Sequence, residues 1–319
     1  MKKTISKVLQ IGIPLIVGIA LVVYFYAQFT PEQWAEMMGH FKSADYSFLV
    51  LSAALSVLSH VIRSHRWHLL LQPIGYTPRL INSFFAVCIA YFMNLFIPKS
   101  GEVSRAVSIN RYEQVPLDKA LGTIITERVI DLIFLVAFTL IAIGLQFELL
   151  FGYVQDKIPL AKILTGLSVM TAIFALSYLW LKKATHPLAL KARGFLKGLK
   201  TGMLSIARLK QPLLFILESL LIWLLYVASF FVATFALDQT AQIGFEVLII
   251  GFVVGSFTFA FTNSGIGYYP LAIAGILSLF AIPETLGNAF GWLVWTANIM
   301  SIILFGFAAF IGLPLVNKK

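Results

Sequence analysis

The chain has little of what usually stabilises soluble or secreted proteins. Its one cysteine, Cys88, lies in an apolar run, which excludes an internal disulfide framework and a cysteine-built metal site. Charged residues are only 12% of the 319 positions, and Asp plus Glu supply 14 of them. The longest polar stretch, 182–211, leaves little room for a soluble domain. No Walker-type or dinucleotide-type Gly-rich loop, no HExxH pair and no Asp-rich metal motif occurs, so a nucleotide-driven pump is not expected from this chain. His60, His65 and His68 cluster, but their spacing does not put all three on one helical face, so no metal and no cofactor is expected.

What the chain has is apolar length. The hydrophobic fraction is 59% and the mean hydropathy +0.89, and several runs exceed the ~18 residues that read as a membrane span. The fold class expected is all-α, a polytopic helical membrane protein. Full spans are expected at 8–29, 47–62, 120–146, 159–181, 212–236 and 289–313. The first run is too long for a signal h-region and no small-residue cleavage site follows it, so a retained helix is expected.

Charge placement sets the orientation. Lys2, Lys3 and Lys7 precede the first span, and loop 182–211 carries eight Lys or Arg with no acidic residue, so both are expected to be cytoplasmic. The net charge of +10 is thereby assigned to topology and anionic headgroups, and no nucleic-acid partner is expected. The acidic stretch 30–46 fits an external loop, and Arg63, Arg66 and Arg79 a cytoplasmic one, with Trp67 and Tyr76 as interface anchors.

If 80–97 were also a full crossing, the eight-cation loop would fall outside. The charge rule therefore makes 80–97 the first arm of a re-entrant pair that turns at Pro98-Lys-Ser-Gly101. Proline lacks an amide hydrogen and glycine accepts positive φ, so a break is expected there. A second pair, 245–261 and 271–281, flanks Thr262-Asn-Ser-Gly-Ile-Gly267. This gives six full spans plus two re-entrant pairs, or eight spans if the pairs are counted as crossings. Ser100-Gly101 and Ser264-Gly265 lie 164 residues apart, each preceded by an aromatic-rich helix. A single transmembrane domain, 1–319, is thus expected to comprise two inverted halves, 1–150 and 159–319, a construction common among transporters.

The stretch 94–131 concentrates the ionisable groups. Ionisable side chains at membrane depth normally face the protein interior, pair, and mark a pathway. Asn94 and Pro98 are read as the helix break. Lys99, Ser100, Gly101 and Arg105, with Asn263, Ser264, Gly265 and Gly267 of the opposite break, are read as a lipid headgroup site, because a helix N-terminus beside basic side chains suits phosphate. Glu102, Glu127, Arg128 and Asp131 are read as an intramembrane charge network, Arg128 pairing with Asp131 or Glu102 and Arg105 with Glu127 or Glu102. The carboxylates could alternatively serve as a general acid and base, but no nucleophile motif accompanies them.

Three motifs, Arg63-Ser-His-Arg66-Trp67, Asn94-Leu-Phe-Ile-Pro98-Lys-Ser-Gly101-Glu102-Val-Ser-Arg105 and Thr126-Glu127-Arg128-Val-Ile-Asp131, together with Gly265-Ile-Gly267, resemble the lysylphosphatidylglycerol synthase transmembrane region family of flippase-like proteins. Lys99 stands where that family more often has Arg. The resemblance implies a lipid-translocating domain of a prokaryotic inner membrane, with anionic phospholipids or lipid-linked (polyprenyl-phosphate) sugars as cargo. It covers the membrane region and no soluble synthase domain, so a non-enzymatic translocase is expected. A scaffold for a separately encoded synthase or glycosyltransferase, or a membrane-embedded lipid-modifying enzyme, are the alternatives.

Overall fold

The computed structural model describes residues 29–145 and 209–318 except 263, plus a few isolated positions. Nearly all of the expected spans at 8–29 and 159–181 and of loop 182–211, together with Asn263, lie outside the described residues.

Nine α-helices occur among the described residues: α1 (Pro31–Ser43), α2 (Tyr46–Leu71), α3 (Leu80–Phe96), α4 (Gly101–Glu113), α5 (Leu117–Leu145), α6 (Pro212–Thr234), α7 (Phe245–Phe261), α8 (Tyr269–Ser278) and α9 (Glu284–Val316). Helices α2, α5, α6 and α9 are long and apolar enough to cross a membrane. Exposed Val50, Leu132, Leu220, Leu304 and Phe307 give these helices an apolar outer surface.

Helix starts follow local chemistry. Thr30 and Gln33 form a reciprocal capping box and Pro31 takes the first turn, which makes a helix of the stretch expected to be a loop. Asp45 caps α2 by accepting from the Ser47 amide at 2.9 Å, and the Ser47 hydroxyl and amide hold its carboxyl below the usual range. Pro212 opens α6 in the same way that Pro31 opens α1.

The pairs α3/α4 and α7/α8 are helical hairpins. Their first arms have 17 residues each, about 25 Å at 1.5 Å per residue, and their second arms only 13 and 10. The described order is therefore long helix, hairpin, long helix, twice over. Helices α2 and α6 hold corresponding places and run antiparallel, since Ser52 meets Ser229 while Arg66 meets Ser219. Packing is reciprocal as well: α3 lies against α9, and α7 lies against α5.

Each hairpin break is capped by a side chain that accepts the amide of its glycine. In the first, the Asn94 carboxamide accepts the Gly101 amide at 2.7 Å, and a Cβ at Gly101 would lie 2.3 Å from the Ala90 carbonyl oxygen. Only glycine permits that approach. In the second, the Thr262 hydroxyl accepts the Gly265 amide at 3.0 Å, and α8 lies against α9 at backbone distance, where a Cβ at Gly291 would lie 2.6 Å from Pro270 Cα. A polar clasp ties the outer ends of α3 and α4 to the end of α9. Asn82 and Asn317 exchange amide hydrogen bonds at 3.0 and 2.8 Å, and Glu113 accepts from Asn82 at 2.5 Å and from the Arg79 amide at 3.0 Å.

Candidate functional site: a buried arginine–carboxylate network

Helix α2 continues to Leu71, about two turns beyond the end expected from sequence, and carries Arg63 and Arg66 into the interior. The assignment of these arginines to a loop is thereby corrected. Their spacing puts both on the face that meets α5, where Glu127 and Asp131 lie one turn apart. Arg63 donates to Asp131 at 2.7 Å. Arg66 bridges Asp131 at 3.0 Å and Glu127 at 3.3 Å. From α4, Arg105 reaches Glu127 at 2.6 Å. Arg128 contacts Glu102 at 3.2 Å and Asp131 at 3.8 Å. Both pairings anticipated for Arg128 thus coexist, and Arg105 pairs with Glu127.

Neighbouring helices fix the arginines. Arg66 also donates to the Ser219 hydroxyl of α6 at 2.9 Å and lies over the Phe215 ring. Arg63 donates to the Tyr226 hydroxyl at 3.1 Å, and Tyr226 meets the Tyr91 hydroxyl at 3.2 Å. Arg105 lies 3.9 Å over the centroid of Trp67, whose indole donates to Thr123 at 2.8 Å. Trp67, expected at a membrane interface, is instead fully buried because it serves as the platform for Arg105.

The network joins four guanidinium groups to three carboxylates, so it carries one excess positive charge. Arg66 and Glu127 are fully buried and Arg105 is 2% exposed. Nε of Arg63 and Arg66, and Nε and Nη2 of Arg105, have no hydrogen-bond partner among the described residues. A buried ionic cluster with spare donors and surplus positive charge is chemically suited to an anion.

The other residues anticipated for the site are distributed as follows. Lys99 is exposed at the first break with φ of 58°, the left-handed region. Ser100 spends its hydroxyl on the Met93 and Ile97 carbonyls at 3.0 and 2.7 Å. The Gly101 amide, foremost of those expected to face an anion, is occupied by Asn94. At the second break Ser264, Gly265 and Gly267 have φ of 55°, 75° and 74°. The Trp295 indole donates to the Ser264 carbonyl at 2.9 Å. Among the described residues no hydrogen bond or ion pair joins the two breaks.

The three histidines diverge. His60 stacks on Tyr91 at 4.2 Å, His65 contacts Glu218 at 2.5 Å, and His68 meets Ser83 at 2.9 Å. A cavity of about 430 Å³ lined by Tyr26, Trp34, Met37, Phe41 and Trp292 shares no lining residue with the network.

Comparison with known proteins places the chain among membrane proteins. A UPF0104 membrane protein of Methanocaldococcus jannaschii is 33% identical over 100 residues, covering 30% of this chain and 30% of that protein. No solved structure matches the chain. The family described as lysylphosphatidylglycerol synthase TM region matches residues 11–306, which include every described residue of the network and both hairpins. The chain therefore belongs to the lysylphosphatidylglycerol synthase transmembrane region family.

Proposed function

We propose that the chain is a non-enzymatic lipid translocase of the cytoplasmic membrane, moving an anionic phospholipid or a polyprenyl-phosphate-linked precursor between leaflets. The observation that carries this reading is the buried network of Arg63, Arg66, Arg105 and Arg128 with Glu102, Glu127 and Asp131. Single Arg or Asp residues at a span centre cost about 2.5–3.5 kcal/mol even on permissive scales, so seven together call for a function that uses them. A surplus positive charge lowers the barrier to an anionic headgroup in a low-dielectric region.

The hairpins are read as re-entrant, because their second arms are short for a ~30 Å hydrocarbon core. The antiparallel α2/α6 pair and the reciprocal packing support two inverted halves that rock about that seam. Charge asymmetry supports a cytoplasmic position for both termini.

The test is headgroup accessibility in sealed liposomes containing the purified protein. Labelled phosphatidylglycerol, aminoacylated phosphatidylglycerol and a polyprenyl-phosphate sugar serve as the panel. Cargo-selective exchange that is lost in Glu102→Gln and Arg105→Gln variants with unchanged monodispersity is expected. No exchange of any lipid by folded wild type would transfer the reading to a partner-dependent scaffold.

A further inference from the structure

One member of the network differs from the rest. Arg128 is 43% exposed and its partner Glu102 30% exposed, whereas the groups beneath them are sealed. On α5, Arg128 shares a stripe with Ile125, Leu132 and Val136, all exposed, at i, i+3, i+7 and i+11 spacing. On α4, which carries Glu102, Val103 and Val107 are also exposed. The guanidinium therefore opens on the apolar outer surface of the helices.

Its bonding is loose. Arg63 and Arg66 donate hydrogen bonds to carboxylates and hydroxyls, while Arg128 makes only ion contacts, at 3.2 and 3.8 Å, and donates no hydrogen bond among the described residues. Glu102 is loosely held as well, since its Oε2 is buried with no hydrogen-bond partner. An arginine presents five N–H donors in a planar fork that fits two oxygens of a phosphate at once. Here that fork is accessible, with the poorly satisfied Glu102 at 3.2 Å and Asp131 farther off at 3.8 Å.

The geometry points to Arg128 as a lateral docking site for the phosphate of a membrane lipid, with Glu102 as the internal anion that the phosphate displaces. The ligand class is a phosphate mono- or diester carrying an apolar chain: the fork takes the phosphate while Val103, Val107 and Leu132 flank it with hydrocarbon. Glu102 keeps Arg128 neutralised between lipids and so acts as a competitor rather than a ligand. This assignment deepens the translocase reading and rests on it for its place in a transport cycle, but binding can be measured without transport.

The experiment is native mass spectrometry of purified protein titrated with phosphatidylglycerol, with glycerol 1-phosphate as the soluble arm and a phosphate-free fatty acid as the third. Glu102→Gln is expected to raise phosphatidylglycerol occupancy several-fold, because it removes the competing anion. Arg128→Gln is expected to lower occupancy about tenfold or more, the scale of one charge-assisted contact, and Arg128→Lys to fall between. Gain of binding in Glu102→Gln cannot come from misfolding, so the proposal stays testable if Arg128→Gln is unstable. Unchanged occupancy in Arg128→Gln, or a decrease in Glu102→Gln, overturns the site. Equal competition by glycerol 1-phosphate, or equal binding of the fatty acid, overturns the lipid-phosphate assignment. If these binding shifts occur in a wild type that exchanges no lipid, docking stands and translocation falls. If lipid exchange occurs with Arg128→Gln indistinguishable from wild type, translocation stands and docking falls.

Discussion

Ser52 and Ser229 are joined twice: their hydroxyls lie 2.9 Å apart, and the Ser229 hydroxyl also lies 2.9 Å from the Ser52 carbonyl oxygen. They mark a close polar contact of the antiparallel α2/α6 seam, on which the two halves meet. A Ser52→Cys/Ser229→Cys pair in a Cys88→Ala background is expected to form an intramolecular disulfide on oxidation, because side-chain atoms already in contact need little backbone movement. Intact-mass measurement reads the loss of two hydrogens, and lipid exchange is expected to stop and return on reduction. Full exchange by a fully crosslinked protein would show that this seam does not move.

Arg66 bridges two carboxylates and a hydroxyl at zero exposure, so its removal leaves charges buried without their partner. Arg66→Met is expected to cost about 3–5 kcal/mol, read as a fall in the thermal midpoint of the detergent-solubilised protein. Arg66→Lys is expected to recover only part, since one ammonium cannot replace a planar fork reaching Ser219, Glu127 and Asp131. A midpoint unchanged in Arg66→Met would mean that Glu127 and Asp131 are neutralised another way.

Gly101→Ala places a methyl against the Ala90 carbonyl and the Asn94 amide group. Overpacking of this kind costs about 1–3 kcal/mol, while Asn94→Ala loses one hydrogen bond, about 1 kcal/mol. Both should destabilise the hairpin in the order Gly101→Ala, then Asn94→Ala, by the same thermal assay. The reverse order would place the hairpin's stability in the cap rather than in the close approach.

Lys99→Gly separates charge from backbone. Relieving a left-handed lysine is expected to stabilise the protein by up to about 1 kcal/mol. If the ammonium also assists headgroup capture, lipid exchange falls even as the midpoint rises. A raised midpoint with undiminished exchange would reduce Lys99 to a turn residue.

Sequence and structure agree where the signal is local. The long apolar runs at 212–236 and 120–146 correspond to α6 and α5, and 245–261 matches α7 residue for residue. Pro98 and Gly101 mark the first break because their backbone chemistry acts within a few residues. Pairing of Arg128 with Glu102 and Asp131 was legible from helical spacing and from the cost of unpaired charge. Arg63 and Arg66 were misplaced for a physical reason: basic residues after an apolar run read as loop, and only the α5 carboxylates, more than 60 residues away in sequence, keep the helix going through them. Their i, i+3 spacing in phase with α2 was the available signal. Ser219, Tyr226 and Tyr91 gave none, because a hydroxyl in an apolar helix acquires a role only once another helix supplies its partner. Helix α1 was hidden in a stretch read by its charge, although Thr30-Pro-Glu-Gln33 carries the capping pattern.

The unlike contacts that hold α4 to α5 and α8 to α9 bear on how the two hairpins respond to water. Attraction between Arg105 and Glu127 scales inversely with the surrounding dielectric, so it weakens several-fold when a dry gap becomes a wet one. The contact of Gly291 with Pro270 is held by shape and dispersion and does not depend on that constant. Water reaching these contacts would therefore slacken the α4–α5 hold and leave α8–α9 tight, so hydration acts as a one-sided release.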